Sequence, residues 1–128
     1  MAQTSPPKQQ IVLVVEDDPL LRMMAADLVE RAGFEVVEAE DADEAVRILE
    51  TRTDIRIVFT DIDMPGSMNG MLLAAAVRDR WPPIDIIITS GHVRAGEIVL
   101  PERSVFFAKP YDSMKVTETL QDMASHPH

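Results

Sequence analysis

The run Ile57-Val58-Phe59-Thr60 ends in a carboxylate, Asp61, and continues at once as Ile62-Asp63-Met64-Pro65. Ile57, Val58 and Phe59 have no polar residue between them, the pattern of a strand covered on both faces. Such a strand belongs inside a parallel sheet, and in open α/β sheets chemistry gathers just beyond the carboxyl ends of the strands. Asp61 stands at that place. Alone it reads equally well as an acid that punctuates a strand end, so its meaning depends on what terminates the other strands.

Ile11 to Val15 is a second continuous apolar run, and it stops at Glu16-Asp17-Asp18. Pro19 then opens a helix, where its missing N–H costs nothing, and Leu21, Met24, Ala25, Leu28, Val29 and Ala32 form one apolar stripe up to Gly33. Phe34 to Ala39 carries Glu35 and Glu38, which suits an edge strand. Asp41 with Glu44 makes a capping-box-like start for a helix to about Thr51, with Ala42, Ala45, Val46 and Leu49 on its stripe. The central strand is Ile55 to Thr60. Asn69-Gly70 begins a third helix, closed by Trp81-Pro82-Pro83. Ile84 to Thr89 is a fourth strand, and Val93 to Leu100 a weak helix containing Gly96 and cut off by Pro101. Val105 to Ala108 is a fifth strand running into Lys109-Pro110. Asp112 or Ser113 caps a last helix bearing Val116, Leu120, Met123 and Ala124. Five βα units in strict alternation predict an α/β fold, a doubly wound parallel sheet with right-handed crossovers and helices on both faces. The expected organisation is a polar tail over 1–10, one domain over 11–124 and a stub over 125–128.

At 128 residues the chain is one domain. Twelve Lys and Arg face 22 Asp and Glu, a formal net charge of −10, so nucleic acid and anionic lipid are poor direct partners. There is no cysteine, hence no disulfide framework and no thiolate metal site. No apolar run approaches the ~20 residues of a membrane span, and Met1 to Gln10 lacks the core of a signal peptide. The expected location is the cytoplasm.

The strand ends then fall into a pattern. Glu16 and Asp17 follow the first strand, Asp61 ends the third, Thr89 the fourth and Lys109 the fifth. Parallel strands put all five residues on one rim. Carboxylates crowded there repel one another unless a cation sits among them, and hard oxygen donors without His or Cys point to Mg²⁺. A Lys and a hydroxyl opposite would complete a cradle for phosphoryl oxygens. The chemistry that uses this set is phosphoryl transfer to or from a carboxylate, with Asp as nucleophile.

Val14-Val15-Glu16-Asp17-Asp18, Asp61-Ile62-Asp63-Met64-Pro65, Thr89-Ser90-Gly91 and Lys109-Pro110-Tyr111 together resemble the receiver domain of two-component response regulators. The resemblance covers roughly residues 10–124. It implies the flavodoxin-like strand order 2-1-3-4-5. It also implies that Asp61 accepts a phosphoryl group from the phosphohistidine of a histidine kinase. Asp17 would be a direct Mg²⁺ ligand and Glu16 an acid acting through water, while Asp63 would offer its backbone carbonyl. Thr89 would be the hydroxyl that swings to the phosphoryl group and Lys109 the lysine that contacts it. Phe106 would be the aromatic whose rotamer reports the state, and Lys109-Pro110 would be cis.

Duller readings stand beside these. Asp18 precedes Pro19 and reads as a helix N-cap in preference to a ligand. Glu16 reads also as a solvated strand-end charge, Thr89 as a strand cap, Phe106 as plain core, and the Asp63 side chain as either beside the metal or in solvent. Three departures from the family pattern are visible: the loop from Pro65 to Gly70 is one residue longer, position 63 is Asp, and the span from Thr89 to Lys109 is short. The PGSMNG loop is similar to that of stand-alone regulators and hybrid-kinase receivers. No output domain follows Ala124, so the expectation is a single-domain regulator working through an unidentified protein target, or as phosphate sink or relay. It would be no enzyme beyond its own phosphoryl transfer and autodephosphorylation. The oligomeric state stays open, a homodimer among the options. Two other readings compete: a haloacid-dehalogenase-like phosphohydrolase, from the D-x-D of Asp61-Ile62-Asp63, and a degenerate pseudo-receiver that only binds proteins.

Overall fold

The computed structural model describes residues 10–64 and 69–125. The tail before Gln10, the extra-length loop over 65–68 and the last three residues lie outside them.

Five strands, β1 (Ile11–Val15), β2 (Glu35–Ala39), β3 (Ile55–Asp61), β4 (Asp85–Ser90) and β5 (Ser104–Ala108), form one parallel sheet in the order 2-1-3-4-5. Four helices, α1 (Pro19–Arg31), α2 (Ala42–Thr51), α3 (Gly70–Arg80) and α4 (Ser113–Ser125), cover it. Alternate side chains of the central strands feed two cores. Leu13, Val58, Ile86 and Ile88 pack with Leu49, Leu73 and Val77 beneath α2 and α3. Val12, Val14, Ile57, Phe59 and Ile87 pack with Val29, Val116 and Leu120 beneath α1 and α4. Each fully buried Leu, Ile or Val contributes roughly 1.5–3 kcal/mol relative to exposure, so both faces of the sheet hold the acid-bearing rim in place. Among the described residues, no helix is long and apolar enough to cross a membrane.

Local signals act as the sequence suggests. Asp18 Oδ1 accepts the N–H of Leu20 and of Leu21 at the start of α1, with Pro19 in its first turn. Gly33 closes that helix at φ 101°, a left-handed conformation that glycine tolerates. Asp41 Oδ1 accepts Glu44 N–H at 2.7 Å, while the Glu44 carboxylate reaches back to the N–H of Glu40, one residue earlier than a standard box. Asn69 caps α3 and Asp112 accepts the N–H of Met114 at the start of α4.

The fourth helix anticipated over Val93 to Leu100 does not form. A 3₁₀ turn, Ala95–Glu97, is all that winds up. Ser90 Oγ accepts the N–H of His92 and Val93, as a cap would, but Gly96, three β-branched residues and Pro101 deny the helix its propagation. Ile98 tucks against the core while Val99 is 91% exposed. The thin cover leaves β5 half-buried along most of its length.

Candidate functional site

β1 delivers Glu16 to the rim. Its carbonyl is gripped by Arg22 of α1 at 2.9 Å, and the same guanidinium pairs with Glu38 of β2 at 3.2 Å. Sequence reasoning passed over Arg22, because an arginine one turn into an amphipathic helix carries no signal of its own. The Glu16 side chain is buried and its Oε2 accepts Asp18 N–H at 3.1 Å. Burial pushes the Glu16 carboxyl up to about 7, with nearby Asp61 adding to the rise and the Asp18 N–H and Lys109 opposing it. Asp17 stands next to it on the more open side.

β3 delivers Asp61, 5% exposed, and β4 delivers Thr89, 3% exposed, as its direct partner in the ladder. Lys109 follows β5, where its N–H bonds the Ser90 carbonyl at 2.8 Å and the Lys109–Pro110 bond is cis. Its ammonium lies 3.3 Å from Asp61 Oδ1 and 3.5 Å from Glu16 Oε1. Partial burial works against that charge, but the two carboxylates, Asp61 foremost, outweigh it and leave the Lys109 pKa raised. Four strand ends thus converge, and Glu16, Asp17 and Asp61 bring carboxylate oxygens within 4.8 Å of one another.

The site opens into a cleft of about 720 Å³. Glu16, Asp61, Thr89 and Lys109 line its inner end, while Leu21, Met24 and Leu28 of α1 face Tyr111, Ser113 and Thr117 across an apolar outer part. Tyr111 is fixed by a tilted contact with Phe59, ring centroids 6.1 Å apart.

A model of the response regulator receiver domain family matches residues 12–121. The chain belongs to that family. Over 116 residues the receiver is 30% identical to the chemotaxis protein CheY1 of Helicobacter pylori, covering 86% of this chain and 93% of CheY1. The receiver domain of the hybrid histidine kinase CckA is 29% identical, with a TM-score of 0.74 over 88% of this chain and 97% of that one. The response regulator TrrA of Thermotoga maritima, solved in complex with Mg²⁺-BeF, shares the fold at 22% identity and a TM-score of 0.79, covering 89% of this chain and 98% of that one. The chain spans from 12% to 48% of the length of several other curated relatives it matches.

In this receiver the acid cluster suits a hard divalent cation. Its donors are all carboxylate oxygens, and Asp61 Oδ1 is buried and, among the described residues, has no hydrogen bond of good geometry closing on it, with the ammonium of Lys109 nearby. Of the two places open to the Asp63 side chain, beside the metal or in solvent, it takes neither. Its carboxylate turns instead to Ser90 and Gly91. Phe106 lies on the opposite face of the sheet from the apolar wall of the cleft, half-buried against the core beneath α2 and α3 and next to Ile88 in the ladder.

Proposed function

We propose that this receiver accepts a phosphoryl group on Asp61 from the phosphohistidine of a histidine kinase, with Mg²⁺ held by Glu16, Asp17 and Asp61 and by the backbone carbonyl of Asp63. The observation that carries this reading is the buried Asp61 carboxylate with the Lys109 ammonium at 3.3 Å and two further acids beside it. A carboxylate oxygen of Asp61 attacks phosphorus, the P–N bond breaks, and the imidazole leaves. Lys109 balances charge on the transferred group, and the Thr89 hydroxyl, lining the same inner cleft, turns to bond it. When bound, Mg²⁺ supplies charge neutralisation for the acids and the phosphoryl oxygens. The TrrA complex with Mg²⁺-BeF is in keeping with such a site in a protein of the same fold.

The donor approaches along the α1–α4 cleft, whose apolar walls suit a helix of the kinase carrying the histidine. Exposed Leu20, Leu21, Met23 and Met24 on α1 widen that landing surface. The signal leaves through the 92–100 segment, β5 and α4 to a protein target in the cytoplasm, or the phosphoryl group is passed on or lost, as in a relay or sink. The catalysis proposed for this domain is its own phosphorylation and dephosphorylation. Acetyl phosphate with Mg²⁺ should label the protein once per chain, and p-nitrophenyl phosphate should not be turned over. Steady turnover of the ester would favour a phosphohydrolase, and no labelling at all would favour a binding module.

A further inference from the structure

Asp63 is half-buried, two residues beyond Asp61, and its carboxylate bonds away from the acid cluster. The Ser90 hydroxyl donates to it at 3.0 Å from Oδ2 and 3.1 Å from Oδ1, and Gly91 N–H donates to Oδ2 at 2.9 Å. Ser90 is fully buried, and its Oγ in turn accepts the N–H groups of His92 and Val93, each at 3.0 Å. The main chain of the same short stretch ties the flanking strands. Thr89 carbonyl accepts Ile62 N–H and Ser90 carbonyl accepts Lys109 N–H, both at 2.8 Å. Ser90 is therefore a hub that joins the loop leaving β3, the turn leaving β4 and the chain leaving β5.

We propose that Asp63 is a positioning residue for phosphoryl transfer, its carboxylate latching Ser90 and Gly91 so that Asp61, Thr89 and Lys109 are held in register at three neighbouring strand ends. This rests on Asp61 being the phosphoryl acceptor. The side chain touches no reacting atom and acts through the groups it holds. A buried hydroxyl that donates to a carboxylate while accepting two amides has all its bonds fixed, so the turn has one arrangement. Remove the carboxylate, and Ser90 Oγ and Gly91 N–H must find water or reorient, which loosens the turn and with it Thr89. Asp63 reaches solvent, so water can enter and the domain stays folded. Ser90 also starts the 92–100 segment, so the latch connects the acceptor loop to the segment whose helix is missing.

Two readouts on Asp63→Ala, Ser90→Ala and their double variant test the latch, with melting curves to establish folding. Amide exchange of His92 and Val93 without phosphorylation should quicken about tenfold in either single variant, the loss of roughly one hydrogen bond's protection. Phosphorylation by acetyl phosphate should slow about five- to tenfold, and in Ser90→Ala, which alters none of the residues proposed to hold Mg²⁺, the Mg²⁺ dissociation constant should stay within about twofold. The double variant should be no slower than the more severe single, since both cut one connection. Asp63→Asn keeps one acceptor oxygen and should recover most of the rate. Unchanged exchange, additive rate losses, or a Mg²⁺ affinity of Ser90→Ala that falls in step with its rate would each overturn the proposal. Failure of the wild type to be phosphorylated would overturn the acceptor assignment instead, and the exchange readout would still judge the latch.

Discussion

A Cβ placed on Gly70 would stand 2.2 Å from the backbone carbonyl oxygen of Asp61. The first residue of α3 thus packs directly on the peptide of Asp61, and the approach leaves room only for hydrogen. This contact sets how far α3 lies from the rim and how the chain beyond Asp61 turns. Gly70→Ala must push backbone against backbone, because no flexible side chain is there to give way. The expected cost is about 1–3 kcal/mol of stability, with phosphorylation slowed as Asp61 is displaced. Chemical denaturation and acetyl phosphate kinetics check both, and a variant of wild-type stability would show that the helix shifts freely.

Glu16 makes the metal-free protein pH-sensitive. Its carboxyl is raised from 4.5 to about 7 in the fold, so the folded state holds a proton that the unfolded chain releases. That contribution is fully present below about 4.5 and is lost as pH rises through about 7, at most about 3 kcal/mol at 1.36 kcal/mol per unit. Relative to wild type, Glu16→Gln should gain stability as pH rises through this window and then level off. Melting curves at pH 5 and pH 8 without Mg²⁺ read the difference. A wild-type-minus-variant gap that does not change with pH would contradict it.

The half-buried ring of Phe106 and the thin cover of the 92–100 segment give this edge of the sheet little to hold it still. Thr89 follows Ile88, the ladder partner of Phe106, so drawing Thr89 toward the phosphoryl group would disturb the strand beside the ring. Amide exchange with and without beryllofluoride should change most over residues 90–112. Changes confined to α1 and α2 would place the response elsewhere.

Much of this was legible in the residues. Uninterrupted runs such as Ile86-Ile87-Ile88 can only be strands covered on both faces, and the alternation of such runs with amphipathic stripes leaves few topologies. The convergence of Glu16, Asp17, Asp61 and Lys109 followed from strand ends sharing one rim. The missing helix was legible only as weakness, since Gly96 and Pro101 lower propensity without stating what replaces it. The partners of the Asp63 side chain were hidden for a different reason. Its nearest acidic neighbour in sequence is Asp61, whereas its hydrogen-bond partners, Ser90 and Gly91, lie one strand over and 27 and 28 residues on. The grip of Arg22 on the Glu16 carbonyl is equally invisible, because it depends on the angle at which α1 leaves β1.

The acceptor assignment is tested most directly by intact-mass measurement after incubation with acetyl phosphate and Mg²⁺. Wild type should gain one phosphoryl group per chain, and Asp61→Asn, which keeps the shape of the side chain but replaces an anionic nucleophile with an amide, should gain none. If Asp61→Asn takes up phosphate to the same extent as wild type, the acceptor lies elsewhere and the account of the rim is wrong.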